Sequence, residues 1–508
     1  MDRLNRTSIN MFSSLLGYAI PMVINLVSTP LLLDAVGETA FGLQSLVAVI
    51  IGYLTVMDMG LDLPITKYLA EDHARNDTAS ANKMLNNTLQ LYLIIGFIGM
   101  TVIILFAKIL SENVFKVPAD MSSQAVIVFQ LAGIGFLGSV GMSWGRAVSM
   151  GLQRFEITYG VAIITNLAGI GFGLLLVYLG YGVVGFVLMR VLSTVCAGIA
   201  YWMIARILLP AYRFKPGFDF PTIRRLRSYI GYGAINRGLS AIVSRLDQTL
   251  IGIWLGVAAA GIYSIPFMIV NSLSYMIAYM LGFTFPMASE LHSTDQHEKL
   301  KDIYIRSTRF ITVLSCMIFI PMFVFGNSFM LIWVGKTVSS QTNTVLMLLT
   351  ASFFLSTLFV ALPNNIAVGT GRIRQFTVYC MFRAVVLGLS CLVFIKPFGL
   401  NGAGFALILT NAVDLVFLII VLKRFLKLSP YALFLSAYCP PLVLGIILAI
   451  VSFFIRPISC SWVGLIIAIG LFDIIYLVIS FKINIFGEAE KLVLKNIFLI
   501  ARRISHTD

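Results

Sequence analysis

One apolar stretch, SYIGYGAINRGLSAIVSRLDQTLIG at 228–252, carries three ionisable side chains: Arg237, Arg245 and Asp247. On a helix turning about 100° per residue, Ser244 falls about 20° from Arg237 and Arg245 about 80° from it, so one wet face can hold them. A guanidinium presents a planar fork of donors that suits phosphate oxygens, so this face could hold an anion. An internal Arg245–Asp247 arrangement that merely locks helices is the other reading. Four more sites share the same context. Arg190 and Arg383 each sit well inside an apolar run, and Asp414 follows Asn411 by about one turn. Arg383 and Asp414 can form a structural pair or a proton relay. The stretch ALPNNIAVGTG places Pro363, Asn364 and Asn365 at a candidate bend beside a cavity. Finally, VMDMGLDLPITKYLAED sets Asp58 and Asp62 one helical turn apart just before Pro64. These carboxylates either pair with Lys67 at an interfacial helix end or act at a gate. FTFPMASE puts Pro286 at a comparable level later in the chain.

Charges so deep in apolar runs raise the question of what solvent the runs meet. The chain has 508 residues, 59% hydrophobic and 11% charged, with a mean hydropathy of +0.94. Soluble domains carry about 25% charged residues. The apolar runs are continuous and about 20 residues long, the length of a membrane-spanning helix, and do not alternate as barrel strands do. The expectation is an all-α polytopic membrane protein with about fourteen transmembrane helices, the second spanning roughly 41–66. With a cytoplasmic N-terminus, 25 of the 36 Lys and Arg fall on the cytoplasmic side, five outside and six within spans. That asymmetry follows the positive-inside rule and places both termini in the cytoplasm. No cleavable signal peptide is expected. The net charge of +14 then reflects loops facing anionic lipid, not nucleic-acid binding.

Several signals point nowhere. The six cysteines are scattered singly, and His292 and His297 lie near a helix end, so no metal site or disulfide framework is expected. Gly180, Gly182 and Gly185 match GxGxxG between two spans with no strand before them, which excludes a dinucleotide site. Gly335-Lys336-Thr337 lacks the first glycine of a phosphate loop, where Met330 stands. With no ATPase and no long soluble loop, the chain reads as a non-enzyme. A driving force would come from H⁺ or Na⁺, the membrane potential or the cargo gradient.

The sequence repeats itself at an offset of 219. Val36-Gly37 matches Leu255-Gly256, Gly42 matches Gly261, Ser45 matches Ser264, Glu71 matches Glu290 and Gly180 matches Gly399. Six spans per repeat preserve orientation, so the halves are parallel-related six-helix bundles that can rock around a central cleft. The boundaries are 1–215 and 216–428, followed by an extra helix pair at 429–481 and a basic amphipathic tail at 482–508 lying on the inner leaflet.

The residues VGETAFGLQSLVAVIIGYLTVMDMGLDLPITKYLAE at 36–71, RLDQTLIGIWLGVAAAGIYSI at 245–265, FTFPMASEL at 283–291 and PFGLNGAGFAL at 397–407 carry a resemblance. The chain resembles the multidrug/oligosaccharidyl-lipid/polysaccharide exporter superfamily, within it the polysaccharide-transport branch of Wzx-type O-antigen flippases. The resemblance implies a MATE-like exporter fold in the bacterial cytoplasmic membrane. It implies movement of an undecaprenyl-diphosphate-linked oligosaccharide to the periplasmic leaflet without chemical conversion. A polysaccharide polymerase and chain-length proteins are the implied partners, beside membrane lipids. Arg237, Arg245, Asp247, Arg190, Arg383, Asn364 and Asn365 are the candidate cavity residues. Asp58, Asp62 and Asp414 are the candidate gate or coupling residues. A drug:cation antiporter of the same superfamily, an O-antigen polymerase and a peptidoglycan-precursor flippase are the alternatives.

Overall fold

A computed structural model describes residues 3–54, 60–210, 212–281, 284–455, 461–483 and 485, without the side chains of 3–16, 63, 74, 225–237, 279, 286 and 455. Asp58 and nearly all of the 482–508 tail lie outside the described residues, as does the side chain of Arg237. Every regular element among the described residues is helical: α1 (Arg3–Leu54), α2 (Asp62–Ala74), α3 (Thr78–Ile109), α4 (Ser122–Gly151), α5 (Phe155–Leu176), α6 (Gly182–Leu208), α7 (Phe220–Trp254), α8 (Val257–Met280), α9 (Thr284–Ser293), α10 (His297–Val334), α11 (Lys336–Gly369), α12 (Ile373–Phe398), α13 (Leu400–Ile420), α14 (Pro430–Leu433), α15 (Cys439–Ile455) and α16 (Trp462–Lys482).

Eleven described stretches are long and apolar enough to cross a membrane. Two of them make double crossings. α1 has 52 residues, about 78 Å of helix at 1.5 Å per residue, against about 30 Å of hydrocarbon. It kinks at Gly37, whose φ of 80° no other residue type adopts cheaply. The 54-residue stretch Phe155–Leu208 turns at Gly180, φ 93°. α7, 35 residues long and bearing Arg237, Arg245 and Asp247, is not in the apolar set but is long enough to cross. These additions bring the number to about fourteen.

The second span departs from the 41–66 read from sequence. α1 ends at Leu54, Gly60 takes a φ of 69°, and a separate helix starts at Asp62. Asp62 therefore opens α2, where its charge faces the positive helix end, and is not the second of two carboxylates on one continuous face. Pro64 fits the first turn of α2 because the missing N–H there has no helical acceptor to lose. The second half breaks at the matching place in the repeat, between α8 and α9.

The 219-residue repeat is written in backbone stereochemistry. Left-handed residues recur in pairs at that offset: Gly37 with Gly256, Asn76 with Asp295, Lys116 with Gly335 and Gly180 with Gly399. The turn after α2 bonds Asn76 N to His73 O, Asp77 N to Asp72 O and Thr78 N to Asn76 O. The turn after α9 bonds Asp295 N to His292 O, Gln296 N to Leu291 O and His297 N to Asp295 O.

By internal packing the chain forms two units, Met1–Ile265 with Leu387–Ala403, and Pro266–Val386 with Gly404–Asp508. In the first, α2, α3, α4 and α6 close on a core containing Trp144, Phe136, Tyr92 and Ile65. Here Gly42 and Gly261, repeat mates in sequence, also meet in space. A Cβ on Gly261 would stand 2.7 Å from the Gly42 Cα, and one on Gly42 would strike the Val257 carbonyl, so α1 and α8 cross backbone to backbone. In the second unit α15 and α16 dock on α10, where Gly445 lies against Cys316 and Tyr476 donates to the Pro441 carbonyl at 3.0 Å.

The segment leading into α7 is held by a ladder of side-chain amides on α3. Asn82 Oδ1 accepts from Arg213 N (3.1 Å), and Asn86 accepts from Lys215 N (3.1 Å) while donating to Arg213 O (2.9 Å). Gln90 accepts from Gly217 N (2.9 Å), and Asn87 accepts from Asp219 N (2.9 Å). Asn82, Asn86 and Gln90 stand four residues apart on one face of α3, Asn87 lies beside them, and the four amides bond every second residue of the extended strap. Asp219 then caps α7 by accepting from Thr222 N at 3.1 Å and pairs with Lys83 at 3.4 Å. The Thr222 hydroxyl, above all, holds the Asp219 carboxyl below the usual carboxylate range. At about 1 kcal/mol per bond, the ladder fixes where α7 begins. We predict that Asn86→Ala/Gln90→Ala raises the rate of tryptic cleavage after Arg213 several-fold in detergent-solubilised protein. Cleavage at the wild-type rate would show that the amides do not hold the strap.

Candidate functional site

The first unit encloses a cavity of about 320 Å³ walled by α1, α4, α6 and α7. Arg190 from α6 and Arg245 from α7 both line it, joined by the neutral polar residues Gln44, Ser139 and Thr194. Gly52 leaves room for Arg245: a Cβ there would stand 3.2 Å from its Nε. One turn past Arg245, the hydroxyls of Tyr53 and Thr249 meet at 2.8 Å and pin α1 to α7. The position of the Arg245 stem is therefore set by helix packing. Both arginines are half-buried, and among the described residues neither has a carboxylate or other acceptor for its guanidinium. Unpaired charge at membrane depth is expensive, and a wet cavity able to admit an anion is the setting in which it persists.

Asp247 behaves differently. It is fully buried, accepts from the Tyr263 hydroxyl at 2.6 Å and from Gln248 N at 2.8 Å, and does not line the cavity with Arg245. The two residues do not form an ion pair among the described residues, so Arg245 keeps its donors for the cavity.

The other candidates lie in the second unit. The Arg383 Nε donates to Asp414 Oδ1 at 2.8 Å, and the same oxygen accepts from the Tyr379 hydroxyl at 2.7 Å. The second Arg383 nitrogen reaches Ser356 Oγ at 3.4 Å. Asn411 donates to Ser352 O and Oγ at 3.0 and 3.1 Å. Asp414 is fully buried and Arg383 keeps 18% of its side chain exposed, so the pair joins α12 to α13 and α11 inside the second unit. Asn365 ties α11 to α9 by donating to Thr284 Oγ1 (2.7 Å) and Leu281 O (3.2 Å). Asn364 has an Oδ1 with no donor among the described residues. Arg383, Asp414, Asn365 and Asn364 are thus not in the arginine cavity of the first unit. Sequence reasoning missed the tyrosines that hold each buried aspartate. It also missed Gln44, Ser139 and Thr194, whose only signal was a neutral polar side chain inside an apolar run.

The model of a family described as polysaccharide biosynthesis proteins matches residues 36–343. The chain belongs to this family. A Shigella flexneri protein named as an O-antigen transporter is 22% identical over 403 residues, 77% of this chain and 91% of that protein. The teichuronic acid biosynthesis protein TuaB of Bacillus subtilis is 23% identical over 176 residues, 34% of this chain and 35% of that one. Among solved structures, the lipid II flippase MurJ in an inward closed conformation superposes with a TM-score of 0.75 at 10% identity, covering 94% of this chain and 100% of that one. An inward-facing multidrug resistance MATE family transporter of the MOP superfamily gives 0.65 at 16% identity, covering 82% and 97%. At such identities these structures speak for the fold alone. The family member is a multi-pass membrane protein with the MATE-like exporter fold.

The buried pair yields a stability prediction. Removing one partner of a buried ion pair costs about 3–5 kcal/mol, whereas replacing both with apolar residues is often close to neutral. Asp414→Ala is therefore expected to lower the thermal midpoint of the purified protein far more than Arg383→Met/Asp414→Leu. Equal losses in single and double variants would contradict a closed structural pair.

Proposed function

We propose that this chain moves an oligosaccharide, linked to a polyprenyl carrier through a diphosphate, from the cytoplasmic to the periplasmic leaflet by alternating access. The observation that carries the proposal is the pair of unpaired guanidiniums, Arg190 and Arg245, facing one cavity at membrane depth. A diphosphate cannot enter hydrocarbon unaccompanied, because an isolated charge there costs many kcal/mol. Two arginines replace its hydration with charge-assisted hydrogen bonds. Gln44 offers an amide donor and acceptor to the remaining phosphate oxygens or the first sugar, and the Ser139 and Thr194 hydroxyls, which donate to Phe136 O and Arg190 O, leave acceptors for sugar hydroxyls, while the polyprenyl tail stays among lipids. Arg237, which by helical periodicity in the sequence can share a face of α7 with Arg245, is a further candidate contact. The name of the Shigella relative and of the MurJ structure agree with a lipid-linked cargo.

The drug:cation antiporter reading fits less well, since two unneutralised arginines repel a cationic drug. In the proposed cycle the halves 1–215 and 216–428 are the moving bundles, and 429–481 rides with the second. Asp62 at the head of α2 is the gate-side carboxylate, and the membrane potential or an ion gradient drives the reset. The cycle runs in the bacterial cytoplasmic membrane with both termini inside, upstream of a polymerase and chain-length proteins.

Complementation of a deletion strain tests this. Loss of the gene should leave lipid-linked repeat units accumulated on the cytoplasmic side and surface polysaccharide absent. Arg190→Gln/Arg245→Gln should insert at the normal level yet restore less than about a tenth of the polysaccharide, a loss of at least 1.4 kcal/mol in the transport barrier. Full export by that variant would remove the cavity's role. A deletion that accumulates no lipid-linked intermediate would overturn the flippase reading itself.

A further inference from the structure

A second hollow lies in the second unit. It is an open groove of about 660 Å³ between α12 and α13. Its walls are Val378, Phe382, Val416 and Ile420, all exposed at the helix surface. Its floor is the stacked pair Tyr379–Phe417, ring centroids 4.1 Å apart and 18° from coplanar. At one end the groove is closed by Arg374, at the start of α12, and Arg424, just past the end of α13. Neither arginine has an acidic partner among the described residues, and no acidic side chain lines the groove. Arg372, Lys423 and Lys427 add to the positive field at the same end. Gln375 is the one neutral hydrogen-bonding side chain in the lining besides Tyr379.

This is an amphipathic slot: a hydrocarbon trough with two free guanidiniums at the level of one membrane surface. By the positive-inside rule that surface is the cytoplasmic one. We propose that the groove is a binding site for an anionic phospholipid of the inner leaflet. The phosphate takes the Arg374 and Arg424 forks, and an acyl chain lies along Val378, Phe382, Val416 and Ile420. The lining argues against the polyprenyl-diphosphate cargo as occupant, because beyond the two arginines it offers only Gln375 to a headgroup carrying several sugars. A small headgroup suffices. The site also reaches the interior. Tyr379, on which the chain would rest, donates to Asp414, and Asp414 holds Arg383. An occupied groove would immobilise that tyrosine and so stiffen α12 against α13.

The test uses the purified full chain in nanodiscs and does not depend on transport. Native mass spectrometry and thermal midpoints are compared in pure phosphatidylcholine and with added phosphatidylglycerol. Wild type should retain phosphatidylglycerol preferentially and melt at a higher temperature with it. Arg374→Gln/Arg424→Gln should weaken that preference roughly thirtyfold, since each basic side chain near an anionic surface is worth about fivefold in binding. Val416→Trp, which fills the trough and leaves both arginines in place, should also lose the lipid. Arg374→Lys/Arg424→Lys should keep much of it. Undecaprenyl phosphate in phosphatidylcholine serves as the other arm. Stronger retention of that lipid than of phosphatidylglycerol, with the same dependence on Arg374 and Arg424, would overturn the phospholipid assignment. Equal retention of phosphatidylglycerol by wild type, the double Gln variant and Val416→Trp would remove the site.

Discussion

An ionised side chain held at membrane depth must find either a partner or water, and nearly every polar feature of this protein answers that demand. Hydrocarbon offers no hydrogen bonds, so an unsatisfied charge there is paid for by the fold or by function. Asp247 and Asp414 are closed off: each gives its carboxylate to a tyrosine, and Asp414 also to Arg383. Arg190 and Arg245 are left open on a cavity wall. The contrast between the two groups separates scaffold from site more sharply than residue type does, because arginine occurs in both.

The open arginines are held by parts that carry no charge. Gly52 clears the space beside Arg245, the Tyr53–Thr249 hydroxyl pair fixes the neighbouring turn, and the amide ladder on α3 sets where α7 starts. Three weak, local devices therefore aim one strong electrostatic one. Aiming of this kind needs rigid helices and short lever arms, and α7 meets the requirement by being capped at Asp219 and pinned again at Thr249.

Much of the fold was legible in the sequence because the membrane imposes a length. Runs of about 20 apolar residues can do little except cross it. Gly37 and Gly180 were visible as repeat markers, and their positive φ explains why glycine stands there. The break near Gly60 was not legible, because the run from Phe41 onward stays apolar through Met57 and only the backbone conformation interrupts the helix. For the site, helical periodicity put Arg245 and Asp247 on the same helix but could not say that Asp247 turns to Tyr263, sixteen residues away. Arg190 was recognisable as a buried charge, yet its partnership with Arg245 spans two helices far apart in the chain, and no spacing rule reaches across that distance. Gln44, Ser139 and Thr194 were hidden because a neutral polar residue in a span is usually satisfied by its own helix.

The 219-residue repeat sharpens the point about what the two halves share. The coincident features are joints: left-handed residues at matching turns and the Gly42–Gly261 crossing. The charges inside the spans do not coincide. At the repeat positions of Arg190, Arg245 and Asp247 stand Leu409, Leu26 and Ser28, and at those of Arg383 and Asp414 stand Ile164 and Val195. A duplicated backbone with unduplicated span charges can bend in the same places in both halves, while the Arg190–Arg245 wall is not repeated at the matching positions of the other half. Pseudo-symmetric hinges suit a reversible rocking motion. An asymmetric charge distribution suits a cargo that is itself asymmetric, with a charged head at one end and a hydrocarbon tail at the other.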